Sequence, residues 1–214
     1  MYWFVIPARK GSKGLPFKNR KLFSYTADTI PDNLREQVIV TSDDDEILRT
    51  SKEYGFKTLN RVPNLSNDTA SPRDVLIDTA KIFNISSEDF IVLLYLVYPD
   101  RKWIDVQRAI SFREEKQATS LLGRKEIQYT PYLMFFEEEN GTGTKIINHD
   151  LCRRQDYRSC FSLSHYVGIF KVSELHLHDT NLWSRNTVFL PIESCVDIDT
   201  RENLEDFLSS ENES

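Results

Sequence analysis

No run of about 18 apolar residues occurs in this chain, so no membrane-crossing helix is expected. The opening, "MYWFVIPARK", has too short an apolar run and no small-residue cleavage site for a secretion leader, which points to a cytoplasmic protein. Cysteine is sparse. Cys152, Cys160 and Cys195 are odd in number and lack C-x-x-C spacing, so they indicate neither a disulfide framework nor a zinc knuckle and read as free, packed thiols. Positive charge is in deficit: 27 Lys and Arg face 33 Asp and Glu, a formal net charge of −6. General nucleic-acid binding needs a broad basic face to displace counterions, so any polyanion must be met by a local patch. A Walker-type phosphate loop, G-x-x-x-x-G-K-[ST], is missing, which disfavours P-loop chemistry. His149, His165, His176 and His178 form no H-x-x-x-H pair, and nothing resembles a nucleophile with its base. No internal repeat is found.

What is present suits one globular domain over residues 1–208, with a polar tail at 209–214. "YWFVIPA" reads as a buried strand feeding a loop, "YTADTIPDNLRE" as a weakly periodic helix, and "QVIVTS" as a second buried strand. Ser42 is expected to cap the helix "DDDEILRTSKEYGF", whose acidic start suits the positive helix end, and Gly55 to end it. In "SPRDVLIDTAKIF", Ser71 stands as cap, Pro72 at the first helical position and Asp74 three beyond the cap. "FIVLLYLV" is apolar without alternation, as a central parallel strand covered on both faces would be, and a helix over about 103–115 follows. This alternation predicts an α/β sandwich around a mostly parallel sheet. From Gln128 to Thr144 aromatics, Pro131 and a Gly-rich turn suggest an antiparallel excursion; "SHYVGIFKV", "TVFLPI" and a last helix "RENLEDFL" come after it.

Two places carry chemistry. Residues 9–21 supply Arg9, Lys10, Lys13, Lys18, Arg20 and Lys21 with no carboxylate, and Gly11 and Gly14 let the backbone turn and approach a ligand. Such a loop at a strand's carboxyl end is where open α/β sheets bind ligands, and its N–H groups and lysines suit a triphosphate. A solvated Lys-rich loop would have the same composition. Near the other end, "ESCVDIDT" places Asp197 and Asp199 two residues apart, so an extended segment projects both carboxylates from one face. Two hard oxygen ligands suit Mg²⁺, which takes its remaining ligands from water and substrate phosphates. A bare D-x-D is more often a solvated turn.

The string "IPARKGSKGLPFKN" resembles the signature of the acylneuraminate cytidylyltransferases, the CMP-sugar synthetases. "VIVTSDDDEI" with "YGF", "RVPNLSNDTASPRDV", "LLYLVYPDR", "RRQDY" and "SCVDIDTRENLEDF" resemble the same family in the same order, over roughly residues 3–207. The resemblance implies a Rossmann-like nucleotidyltransferase that joins CTP to an acidic keto-sugar with release of pyrophosphate. It implies a nucleotide site at Arg9, Ser12, Lys13, Lys18, Asn19 and Arg61, with Arg9, Lys13 and Asp199 in catalytic roles. It also implies acceptor contacts at Tyr95, Arg153, Arg154 and Gln155, and Mg²⁺ on Asp197 and Asp199. Residues 124–162 correspond to the excursion through which family members dimerise and reach a neighbour's site.

The sequence departs from the pattern mainly where the acceptor should sit. The usual "LLQPTSPLR" is "LLYLVYPDR", with Tyr95 in place of glutamine, and the usual "NGAIY" is "HYVGIF", closer to the "HIGIY" of enzymes that activate Kdo. Lys10 replaces a glycine, and about seven residues of a "GKPLI" type segment are missing after Asn19. CTP and Mg²⁺ are therefore better supported than any one sugar. A non-catalytic nucleotide-binding homologue and a transferase for another sugar or nucleotide remain as alternatives.

Overall fold

The computed structural model describes residues 1–11, 14–67 and 69–212. It begins with β1 (Tyr2–Pro7), whose Phe4 and Ile6 enter one core while Val5 enters another. A strand apolar on both faces must be covered on both, which is why the unalternating runs lie at the centre of the molecule. Along the chain follow α1 (Lys18–Ala27), β2 (Val38–Ser42), α2 (Asp45–Glu53), β3 (Lys57–Asn60), α3 (Pro72–Ile82), β4 (Phe90–Leu93) and α4 (Trp103–Glu115). The remainder comprises β5 (Ser120–Glu126), β6 (Phe135–Glu137), β7 (Gly143–Lys145), β8 (Phe161–Lys171), β9 (Thr187–Pro191) and α5 (Arg201–Asn212).

Among the described residues the main sheet has seven strands in the order β3-β2-β1-β4-β8-β5-β9. Pairing is parallel except where β8 runs against β4 and β5. The sheet is mostly parallel, as expected, but β4 has a parallel neighbour on one side only. One core packs α1, α2, α4 and α5 through Leu22, Ile47, Val106 and Phe207, and the other packs α3 and the short helix Val172–Leu177 through Leu76, Ala80 and Leu175. This is a three-layer, Rossmann-like α/β sandwich. Among the described residues no helix is long and apolar enough to cross a membrane.

Several local expectations change. The first helix covers Lys18–Ala27 and not 25–36, because Leu22, Phe23, Thr26 and Ala27 form its buried face and Pro31 starts a separate 3-10 turn, Asp32–Gln37. The α2 cap is Asp44, whose side chain accepts the Glu46 N–H at 3.1 Å, while the Ser42 hydroxyl donates to the Ala8 carbonyl and accepts the Asp44 N–H. Gly55, at φ 79°, follows the end of α2 as expected. Ser71 does occupy the cap position of α3, but its hydroxyl makes no capping bond. The strands β3 and β5 went unread in the sequence, and α5 continues through Ser209 and Ser210 to Asn212. The excursion is a two-stranded antiparallel hairpin, β6 with β7. Tyr132, before the hairpin, stacks on Tyr157, after it, at 4.6 Å, whereas Phe135 and Phe136 are 62% and 63% exposed.

Candidate active site

Although β1 and β4 are neighbours, the chain leaves β1 towards β2 on one side and returns to β4 on the other. The loops beyond their carboxyl ends therefore diverge, and a crevice opens at the reversal of strand order. A cavity of about 360 Å³ occupies it. Arg9 and Gly11 line it from the loop after β1, Lys18 and Asn19 from the first turn of α1, and Arg61 from beyond β3. Tyr95 and Val97, after β4, close the opposite wall, and Pro72 and Val75 of α3 supply an apolar floor.

The start of α1 is electrostatically unusual. Phe17, at φ 55°, precedes it without a side-chain cap, no acid lies in its first turn, and Lys18, Arg20 and Lys21 add positive charge to a helix end that is already positive. Arg20 is neutralised away from the cavity by Asp44, at 2.7 and 2.9 Å, and by Glu46. Lys18 turns inward: its side chain is 12% exposed, and Nζ donates to the Ile198 carbonyl and to Asp199 Oδ1, each at 3.0 Å. Asn19 Nδ2 donates to the Arg9 carbonyl at 2.7 Å, and Asp43 accepts the Lys10 N–H at 2.7 Å, so side chains hold the loop's shape. A Cβ on Gly14 would lie 2.5 Å from the Asp199 carbonyl oxygen, which is the close approach that requires glycine there. Gly11 has no such neighbour within 4 Å.

The carboxyl-terminal segment is pinned from the other side. Ile198 is fully buried and its N–H donates to the Val97 carbonyl at 2.9 Å, while the Val196 N–H donates to Asp100 Oδ2 at 2.9 Å. With Ile198 inward, Asp197 and Asp199 flank it. Burial raises the Asp197 carboxyl above the usual range and the charge of Asp199 raises it further, against the lowering influence of Lys125, Tyr98 and Lys18. A carboxyl raised by burial and by a neighbouring acid is one whose ionised form a nearby cation would favour. Among the described residues no group of three His, Cys, Asp or Glu side chains converges to hold a metal unaided.

Arg61 is 9% exposed and donates to neutral oxygens, the Thr41 carbonyl at 2.8 Å and the Thr41 hydroxyl at 3.3 Å. Burial pulls its guanidinium below the ordinary value, and Asp43 counteracts this. Across the cavity, burial pushes the Tyr95 phenol up to about 12 against the pull of Arg61, so at neutral pH it is an uncharged hydrogen-bond donor.

Of the residues singled out in the sequence, Arg9, Lys18, Asn19, Arg61 and Tyr95 share the cavity, and Asp199 touches it through Lys18. Ser12 and Lys13 lie outside the described residues. Arg153, Arg154 and Gln155 sit instead on the excursion, where Arg153 pairs with Asp156 at 2.9 Å and Arg154 lines a separate groove. They do not line this chain's cavity. The sequence reading missed Asn67 and Ser71. Asn67 lines the cavity, and the Ser71 hydroxyl, between the lining residues Ala70 and Pro72, is buried without a partner. The serine in the cap position of α3 is the local signal at this wall, and a cap role alone does not account for its unpartnered hydroxyl.

Residues 3–95, which contain β2 to β4, all of β1 but its first residue, and most of the cavity wall, match the family model for cytidylyltransferases. The chain is also 29% identical over 216 residues to the pseudaminic acid cytidylyltransferase of Campylobacter jejuni subsp. jejuni serotype O:2, covering 94% of this chain and 92% of that one. Its relatives are cytidylyltransferases. The N-acylneuraminate cytidylyltransferase of Streptococcus agalactiae serotype V is 26% identical over 211 residues, covering 93% of this chain and 50% of the relative. This cytidylyltransferase-like chain thus spans half the length of the streptococcal relative. In fold it is similar to a CMP:2-keto-3-deoxy-manno-octonic acid synthetase solved with CTP, with a TM-score of 0.68, 14% identity and coverage of 99% and 98% of the two chains.

Proposed function

We propose that this protein transfers CMP from CTP to an acidic keto-sugar and releases pyrophosphate. The observation that carries the reading is the Lys18 contact: a cationic side chain of the amino-terminal helix lines the cavity and binds Asp199 of the carboxyl-terminal D-x-D. That contact brings one residue of each charged cluster, 181 positions apart, within hydrogen-bonding reach beside the crevice. The names of the relatives support the substrate class, since both act on sugar acids.

In this reading Arg9, Lys18 and Arg61 neutralise the triphosphate, with Ser12 and Lys13 of the same loop adding a hydroxyl and a further charge, and Asn19 holds the loop. Oriented cations in a dry crevice stabilise charge as it develops, which is the main demand of phosphoryl transfer. The acceptor's anomeric hydroxyl oxygen bonds to the α-phosphorus in line as the bond to pyrophosphate breaks. The hydroxyl proton passes to solvent, and no covalent enzyme intermediate forms. Tyr95 donates a hydrogen bond to the acceptor. Asp197 and Asp199 would hold Mg²⁺, and an Asp197 carboxyl raised by burial and by the charge of Asp199 fits a cation that takes its other ligands from water and phosphate. Bound there, Mg²⁺ supplies charge that offsets the phosphate oxygens.

The position of Arg153, Arg154 and Gln155 supports a homodimer in which the excursion of one protomer reaches the acceptor side of its partner's cavity. Exposed Phe135 and Phe136 on the β6–β7 hairpin of the same excursion supply apolar surface for such an interface. A cytoplasmic site of action fits three free cysteines, one of them exposed, and a nucleoside triphosphate substrate.

Mixing the protein with CTP, Mg²⁺ and a panel of sialic, pseudaminic and eight-carbon keto-sugar acids tests the reading. Pyrophosphate should appear with one of these acceptors and with CTP in preference to other nucleoside triphosphates. Tight CTP binding by calorimetry without release across the panel would leave only the nucleotide-binding homologue.

A further inference from the structure

Arg101 is 2% exposed, and its guanidinium is directed entirely at neutral oxygens. Nη1 donates to the Tyr166 carbonyl at 2.8 Å; Nη2 donates to the Tyr95 carbonyl at 2.9 Å and to the Thr26 hydroxyl at 3.1 Å. Burial lowers its pKa to about 10, which leaves it charged at neutral pH. A buried cation is costly, and an apolar side chain of similar volume often stabilises a core equally well. A guanidinium contributes what a methionine lacks: directional bonds in a rigid plane.

Its partners lie on three different elements, of which the Tyr95 segment itself lines the crevice and α1 contributes Lys18 and Asn19 to it. Thr26 lies on α1, two turns beyond Lys18 and Asn19; Tyr95 is the acceptor wall; Tyr166 lies on β8, which leads out of the excursion. The preceding residue extends the node, because Asp100 accepts the Val196 N–H one residue before Asp197. The relative placement of cationic helix, acceptor wall and carboxylate segment thus passes through one dipeptide, Asp100–Arg101. We propose that Arg101 is a positioning residue for the transfer reaction, holding the acceptor wall at Tyr95 in register with α1. The proposal rests on the cytidylyltransferase reading above.

The test compares Arg101→Met, Arg101→Lys and Thr26→Val with the unaltered protein, with kinetic constants referred to the folded fraction measured by circular dichroism. A wall out of register should raise the acceptor KM of Arg101→Met about tenfold while CTP affinity by calorimetry stays within about twofold. Arg101→Lys should recover part of that loss, and Thr26→Val should move the acceptor KM less and in the same direction. Should Arg101→Met fail to fold, the other two variants decide. Wild-type acceptor KM in all variants that fold would overturn the proposal, because a purely structural role lowers the folded fraction without altering the folded enzyme's KM split. If the unaltered protein turns over no acceptor, the functional reading fails and hydrogen exchange decides the positioning role on its own. Amides 94–98 should then exchange faster in the variants while β1 and β2 keep their protection, and unchanged exchange at 94–98 would overturn it.

Discussion

Lys18 joins the two ends of the chain, and its removal separates two contributions. Lys18→Met deletes a cation from the cavity and leaves Asp199 without that partner. A loss of about 10²–10³ in kcat is expected for a preorganised group of this kind, read as pyrophosphate release, together with a smaller CTP-induced rise in melting temperature. Asp44 illustrates a residue with a different purpose. Burial would raise its carboxyl, but the hydrogen bonds from Arg20 and the Glu46 N–H outweigh this and hold it below the usual carboxylate range. A depressed acid contributes stability that is complete above its unfolded value and is lost as pH falls through the folded one. The melting-temperature deficit of Asp44→Asn should accordingly be largest at neutral pH and shrink on acidification below the ordinary carboxylate range. An equal deficit at pH 7 and pH 3 would remove the ionic part of the explanation.

Between neighbouring elements, the loop after β1 approaches the segment after β9 more closely than a side chain permits. Gly14→Ala places a methyl carbon against the Asp199 carbonyl, so one backbone must yield, whereas Gly11→Ala meets nothing within 4 Å. The first change should abolish most transfer activity while leaving the sheet's melting transition near that of the unaltered protein. The second should leave both close to wild type; equal effects of the two would mean that the approach to Asp199 is immaterial. The α1 helix obeys the same logic at its start: it tolerates three cations and no cap because its buried face at Leu22, Phe23, Thr26 and Ala27 anchors it to the core.

The assembled sheet places the crevice, and the excursion extends away from it. A hairpin with two phenylalanines more than half exposed has surface for a partner protomer. Sedimentation should show a dimer for the unaltered protein and a monomer for the double variant Phe135→Ser, Phe136→Ser. The monomer should keep CTP binding and lose acceptor turnover, since the arginines at 153 and 154 are remote from their own chain's cavity. A monomeric wild-type protein with full turnover would remove both statements.

Much of this arrangement is legible in the sequence alone. Apolar runs identified β1 and β2 as buried strands and β4 as one covered on both faces, the α4 limits agreed at both ends, and the ordered blocks from Arg9 to Asp199 pointed to a cytidylyltransferase. These signals are local, because periodicity and turn chemistry act among residues a few positions apart. Sequence patterns did not reveal that β8 runs against its neighbours, that Asp44 rather than Ser42 caps α2, or that α1 starts at Lys18 behind a left-handed phenylalanine. Nor did they separate Arg61, which enters the cavity, from Arg153 and Arg154, which do not. Those outcomes depend on which distant surfaces pack together. A contact such as Lys18 with Asp199 exists only because strand order and the two cores bring residues 181 positions apart to within hydrogen-bonding reach.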